Sequence, residues 1–224
     1  MWKNLFIKTR LKDPSWIGSS KIIYGVIMEI TAKQVKELRD KTNVGLMECK
    51  KALAEAKGNI DEAVKILRKK GIAKAEKKAS RDSSEGIIHA YIHPGAKLGV
   101  LLELSCETDF VARTDDFKEM ANQIAMHIAA TNPIAISEDD IDPKIIEEEK
   151  EIYKEQALAA GKPEKIVDKI VEGRLKKYYT ENCLLDQPLV MDEDITIKEL
   201  ISNAVLKLGE NITIKRFARY QIGS

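Results

Sequence analysis

The chain has 224 residues and a net charge of +1, so no basic excess marks nucleic acid as its main ligand. Hydrophobic residues make up 44% and charged residues 33%, the balance of a helix-rich globular protein, and no apolar run approaches the length of a membrane helix. The cysteines, Cys49, Cys106 and Cys183, are sparse, odd in number and free of any C-x-x-C spacing, which argues against a disulfide framework or a zinc site and for a reducing, cytoplasmic setting.

Residues 1–27 differ in character from the rest of the chain. They carry Lys3, Lys8, Arg10, Lys12 and Lys21 against one acid, Asp13, together with Trp2 and Trp16. The apolar block Ile22–Ile27 is too short and too late for an ordinary secretory signal. Met28 reads as an internal start, and residues 1–27 as a non-native or poorly ordered extension.

From Met28 the pattern becomes regular. Thr31-Ala-Lys-Gln34 is a capping box opening a helix to about Lys41, with Val35 and Leu38 inward. Thr42-Asn-Val-Gly45 breaks it, and Leu46–Ala56 forms a second helix. Leu46 and Met47 place apolar side chains at that helix start, as a hydrophobic staple or as an exposed docking edge. Asn59 caps a third helix over Ile60–Lys70, which Gly71 is expected to close. These helices make a bundle over residues 28–71. Ile72–Asp82 reads as a Lys/Ala-rich helical connector within a linker over 72–84.

The remainder, 85–224, reads as a core domain. Gly86–Ile92, a Pro94–Gly95 turn and Leu98–Ser105 predict a hairpin. Its second strand is nearly all apolar, as expected of a strand covered on both faces. The stretch Ser105-Cys-Glu-Thr-Asp-Phe-Val-Ala-Arg113 leaves that strand for a helix over Asp115–Thr131, capped by Thr114. Phe110 beside Asp109 at such a corner has two readings: a plug of the hydrophobic core, or an aromatic wedge offered to a partner.

Pro143 at a first helical position starts a helical hairpin, 143–160 and 163–182, whose modest apolar content leaves it draped over the sheet or projecting toward a partner. Leu184–Met191 reads as an apolar loop on the core. Thr196-Ile-Lys-Glu199 is a capping box for a helix to Leu208–Gly209, and Asn211–Ile222 is the last strand. Strands not interleaved with crossover helices give an α+β class: a three-helix bundle, then a small, mostly antiparallel three-stranded sheet with helices on one side. His89, His93 and His127 lack any nucleophile-and-base spacing, so neither catalytic residues nor cofactors are expected.

Two stretches carry more than periodicity. Leu38-Arg-Asp-Lys-Thr-Asn-Val-Gly-Leu-Met-Glu-Cys-Lys-Lys-Ala-Leu53 resembles the first signature of the elongation factor Ts family, and Glu103-Leu-Ser-Cys-Glu-Thr-Asp-Phe-Val-Ala-Arg113 resembles its second. Asn43–Val44 stands where the family more often has Gly–Ala, and Leu46 where a second Met is common. The resemblance covers Met28 to the C-terminus and implies exchange of guanine nucleotide on elongation factor Tu, without chemistry of the chain's own. It implies docking through Arg39, Val44, Leu46 and Met47, and Mg²⁺ dislocation from the partner by Thr108, Asp109, Phe110 and Val111. It also implies a homodimer, since the chain resembles the short form with one core unit. The alternative is a helical adaptor whose bundle, similar to ubiquitin-associated modules, binds another partner.

Overall fold

The computed structural model describes residues 30–223, so the reading of residues 1–27 lies outside the described residues. Thr31 accepts from the Gln34 amide while the Gln34 side chain caps the Thr31 amide, and α1 runs from Ala32 to Thr42. Asn43, in the left-handed region at φ 54°, ends it. α2 spans Leu46–Glu55, and α3 begins at Ile60 behind the Asn59 cap. Leu38, Cys49, Leu53, Ala63 and Leu67 are buried between the three helices.

Gly71 does not stop the third helix: α3 continues to Lys78. Next in the chain come β1 (Glu85–Ile92), β2 (Leu98–Cys106), a one-turn α4 (Asp109–Ala112) and α5 (Asp115–Thr131). The helical hairpin is α6 (Pro143–Ala159) and α7 (Glu164–Asn182). Two short strands, β3 (Pro188–Leu189) and β4 (Asp192–Thr196), then precede α8 (Ile197–Leu208) and β5 (Thr213–Gln221). A Cβ added at Gly71 would meet the Ser202 carbonyl oxygen at 3.4 Å. The glycine therefore marks the close approach of α3 to α8, where an added Cβ would already be in van der Waals contact with the facing helix. Leu206 of α8 is buried with the bundle residues, and Lys74 donates to the Leu206 carbonyl.

The sheet has the order β1-β2-β5, antiparallel throughout, which gives the expected α+β architecture. Val100, Leu102, Leu104 and Cys106 point from β2 into one core with Phe117, Ile124 and Ile128 of α5 and Ile197 and Val205 of α8. The expectation that β2 is covered on both faces is overturned. Among the described residues the packed helices lie on one side, and Leu101 on the other remains exposed beside Ile88, Ile92 and Tyr220. A run of apolar residues in a strand thus marks an uncovered apolar face as readily as a buried one.

The stretch expected to be a plain apolar loop, Leu184–Met191, holds β3 and the tip of the β3–β4 hairpin. Leu184 and Leu189 are buried, whereas Val190 and Met191 at its tip are exposed. The α6–α7 hairpin packs on itself and joins the body at its base, where Ala135, Ile141 and Cys183 are buried against Ile146, Tyr178 and Tyr179. Ile145 at the base and Ile152 and Ile166 farther out stay exposed.

Candidate functional site

The corner between β2 and α5 is built by two successive caps. The Thr108 hydroxyl accepts from the Val111 amide at 3.4 Å and opens α4; the Thr114 hydroxyl accepts from the Phe117 amide at 3.3 Å and opens α5. An interruption between two helical turns lets one segment face out and the next face in. Phe117 is 0% exposed in the core, while Phe110, on α4, is 78% exposed. The core plug is therefore Phe117, and Phe110 is displayed. Val111 and Ala112 are buried beneath it and seat the turn on the sheet. Asp109 is also exposed and pairs with Arg113 at 2.8 Å, a surface ion pair of small energetic weight.

Behind the corner two turns exchange carboxylates. Glu210 accepts from the Glu107 amide at 3.1 Å, the Thr108 amide at 3.0 Å and the Thr108 hydroxyl at 2.6 Å. Glu107 in return accepts from the Asn211 amide at 2.6 Å and lies 3.5 Å from the Arg81 guanidinium. The Asn211 amide, with Arg81 and Lys78 adding to it, holds the Glu107 carboxyl below its ordinary range. Cys106 donates to the Thr108 carbonyl at 3.1 Å, and burial raises its thiol pKa, so it is an inert part of the seat.

At the bundle, Arg39 is exposed near the end of α1, and Leu46 and Met47 are 52% and 62% exposed at the start of α2. Val44 is different. At 1% exposure it lies in the bundle core, where it supports the edge from beneath. Arg39 also lines a cleft of about 910 Å³ between the bundle and the core, facing Met120 and Gln123 of α5 and Met191 of the β3–β4 tip. Leu46, Met47 and Phe110 do not line that cleft. Met120 reads from its helical spacing as core, and only the fold shows that it also reaches a groove. Glu210 and Asn211 are equally hidden from local reading, since their partners lie about a hundred residues away in the chain.

Among the described residues no group of three or more His, Cys, Asp or Glu side chains is placed to hold a metal ion. A displayed aromatic on a fixed corner and an apolar edge at the start of α2 are thus two exposed apolar features of an α+β fold. A sequence model of the family described as Elongation factor TS matches residues 16–224, beginning ahead of Met28. Elongation factor Ts of Fervidobacterium nodosum is 56% identical over 196 residues, covering 88% of this chain and all of that protein. Elongation factor Ts of Koribacter versatilis is 55% identical over 88% of this chain and 90% of its own length. That of Thermosipho melanesiensis is 54% identical over 87% of this chain and 99% of its own length. The chain belongs to the elongation factor Ts family and acts in translation elongation.

Proposed function

We propose that this protein is a guanine-nucleotide exchange factor for elongation factor Tu and works by binding rather than by chemistry of its own. The observation that carries the reading is Phe110, 78% exposed beside the exposed carboxylate Asp109 on a corner fixed by caps. An exposed aromatic costs solvation in the free protein, and its burial against a partner recovers that. In this reading the bundle over 28–71 docks through Arg39, Leu46 and Met47, with Val44 supporting them, while Thr108 and Val111 hold Asp109 and Phe110 toward the nucleotide site. A ligand that prefers the distorted or nucleotide-free state weakens GDP binding by the same factor by which GDP weakens its own. Mg²⁺ is the largest local charge on the phosphates, so a small shift of its protein ligands releases much of the hold on GDP. The partner is then bound in both its GDP-bound and nucleotide-free states, and the setting is the cytoplasm.

The same reading includes a homodimer. Ile88, Ile92, Leu101 and Tyr220 leave one face of the sheet apolar and uncovered, and a second copy presents a face of matching chemistry. Sedimentation at micromolar concentration decides this, and a monomer at those concentrations speaks against it.

Release of labelled GDP from elongation factor Tu tests the exchange reading directly. Micromolar protein is expected to accelerate release manyfold, and Phe110→Ala to slow the accelerated release while the protein stays folded. No acceleration by the wild-type chain overturns the proposal.

A further inference from the structure

We propose that Glu210 is a positioning residue for the displayed Asp109–Phe110 turn, an inference that rests on the exchange reading above. Three donors converge on its carboxylate, the Glu107 and Thr108 amides on one oxygen and the Thr108 hydroxyl on the other, at 3.1, 3.0 and 2.6 Å. The hydroxyl contact orients the cap. A threonine hydroxyl has one proton and two lone pairs; giving the proton to Glu210 leaves a lone pair for the Val111 amide, which opens α4. Glu210 thus sets the start of the helical turn that carries Phe110, although it touches neither Phe110 nor Asp109.

The contact is also a node. Asn211, next in the chain, gives its backbone amide to Glu107 and its side-chain amide to the Arg81 carbonyl at 2.9 Å. Lys78 at the end of α3 donates to the carbonyl of Gly209, and Arg81 lies beside Glu107. α3 is the helix that carries the docking bundle. The node therefore ties the base of the displayed turn to the far end of α3, the helix that links the docking bundle to the core, so that docking at one fixes the approach of the other. Charge-assisted bonds from fixed backbone donors suit this task, because they are stronger and more directional than neutral ones.

The test compares Glu210→Ala, Glu210→Gln and Glu210→Asp with the wild-type chain in release of labelled GDP from elongation factor Tu. Misplacing a positioned group by about 1 Å costs up to about 100-fold in rate. Glu210→Ala is expected to lower the saturating release rate by about tenfold or more, with the half-maximal concentration within about threefold of wild type. Glutamine keeps the carbonyl acceptor for both amides but turns an N–H donor toward the Thr108 hydroxyl in place of an acceptor, and is expected to give a rate between those of wild type and Glu210→Ala. Aspartate keeps the charge but withdraws it by one methylene, and a loss from this variant carries the test if the alanine variant does not fold. Wild-type rates at saturation from a folded alanine or aspartate variant overturn the proposal. If the wild-type chain itself fails to accelerate release, the exchange reading falls, and amide hydrogen exchange on the free protein decides the positioning alone. Loss of protection in Glu210→Ala confined to residues 107–113 supports it, and unchanged protection there overturns it.

Discussion

The β2–α5 corner and the start of α2 display apolar side chains in the same local setting, a helix beginning after a break, yet they are held in opposite ways. At the corner, Phe110 stands on a turn fastened by polar bonds: two threonine caps and the three donors converging on Glu210. At α2, the N-cap is Gly45, which offers no side-chain cap, and Leu46 and Met47 follow Val44, which is buried in the bundle core. Polar bonds fix direction and weaken steeply when bent, whereas apolar contact is non-directional. The corner is thus built to hold one side chain at one angle, and the α2 edge to offer area that adapts to what it meets.

The comparison breaks first at the two phenylalanines. Phe117→Ala empties a fully buried site and is expected to cost about 3–5 kcal/mol of unfolding free energy in urea denaturation. Phe110→Ala removes an exposed ring and is expected to stay within about 0.5 kcal/mol. Equal losses would mean that Phe110 is folded into the core in solution, and the displayed-aromatic reading would fall with it.

The α2 edge gives the next largest contrast. Val44→Ala deletes two buried methyl groups and is expected to cost about 2 kcal/mol, from lost transfer free energy and the cavity left behind. Met47→Ala, at a 62% exposed position, is expected to change stability by less than about 0.5 kcal/mol. If the two substitutions cost the same, Met47 is a staple and the edge is closed.

Legibility in the sequence divides along the same line between local and distant partners. Capping boxes at Thr31–Gln34 and Thr196–Glu199 and the cap at Asn59 were readable because a cap and its partner lie three residues apart. The paired signatures at 38–53 and 103–113 pointed to the family. Periodicity did not separate Phe110 from Phe117, because the break at Arg113–Thr114 between α4 and α5 resets the helical phase. Nor did it separate Val44 from Leu46, since the side chain that faces inward depends on where the other two helices lie. The role of Glu210 was unreadable for a stronger reason: its partners are set by the register in which β5 returns beside β2. Gly71 misled because a glycine in a helical pattern has two uses, a left-handed cap and a close approach, and local sequence does not distinguish them.

A smaller effect probes the polar fastening itself. Thr108→Val keeps the shape of the side chain but removes both the cap to Val111 and the hydroxyl bond to Glu210. A lost N-cap costs about 1 kcal/mol, and thermal unfolding is expected to report a loss of that order. Met47→Ala should lose nothing comparable. A stability unchanged by Thr108→Val would mean that the corner, like the α2 edge, is held by packing alone.

The smallest expected effect comes from a third displayed pair, Val190 and Met191 at the β3–β4 tip, which belongs with the corner because a polar network fastens it. His127 is 1% exposed; its Nε2 lies 2.8 Å from the Gln187 side-chain oxygen, and its Nδ1 is 3.3 Å from the Val190 amide nitrogen. Since the Val190 N–H needs an acceptor, Nδ1 is unprotonated and Nε2 donates to Gln187. Burial lowers the His127 pKa below its ordinary value, with the Gln187 bond opposing it. The folded state therefore resists a proton that the unfolded chain takes up at about pH 6.5. Stability from this group is complete above that pH and declines as pH falls toward the lower folded pKa, because the unfolded state then binds more protons. Unfolding curves between about pH 7.5 and 5.5, a window bracketing that unfolded value, are expected to show a midpoint that drops with acidity, and His127→Gln to flatten that slope. Thr108→Val should leave the slope untouched, since no histidine bonds to that corner; a slope that survives His127→Gln would place the titrating group elsewhere and detach the tip from the polar-fastened class.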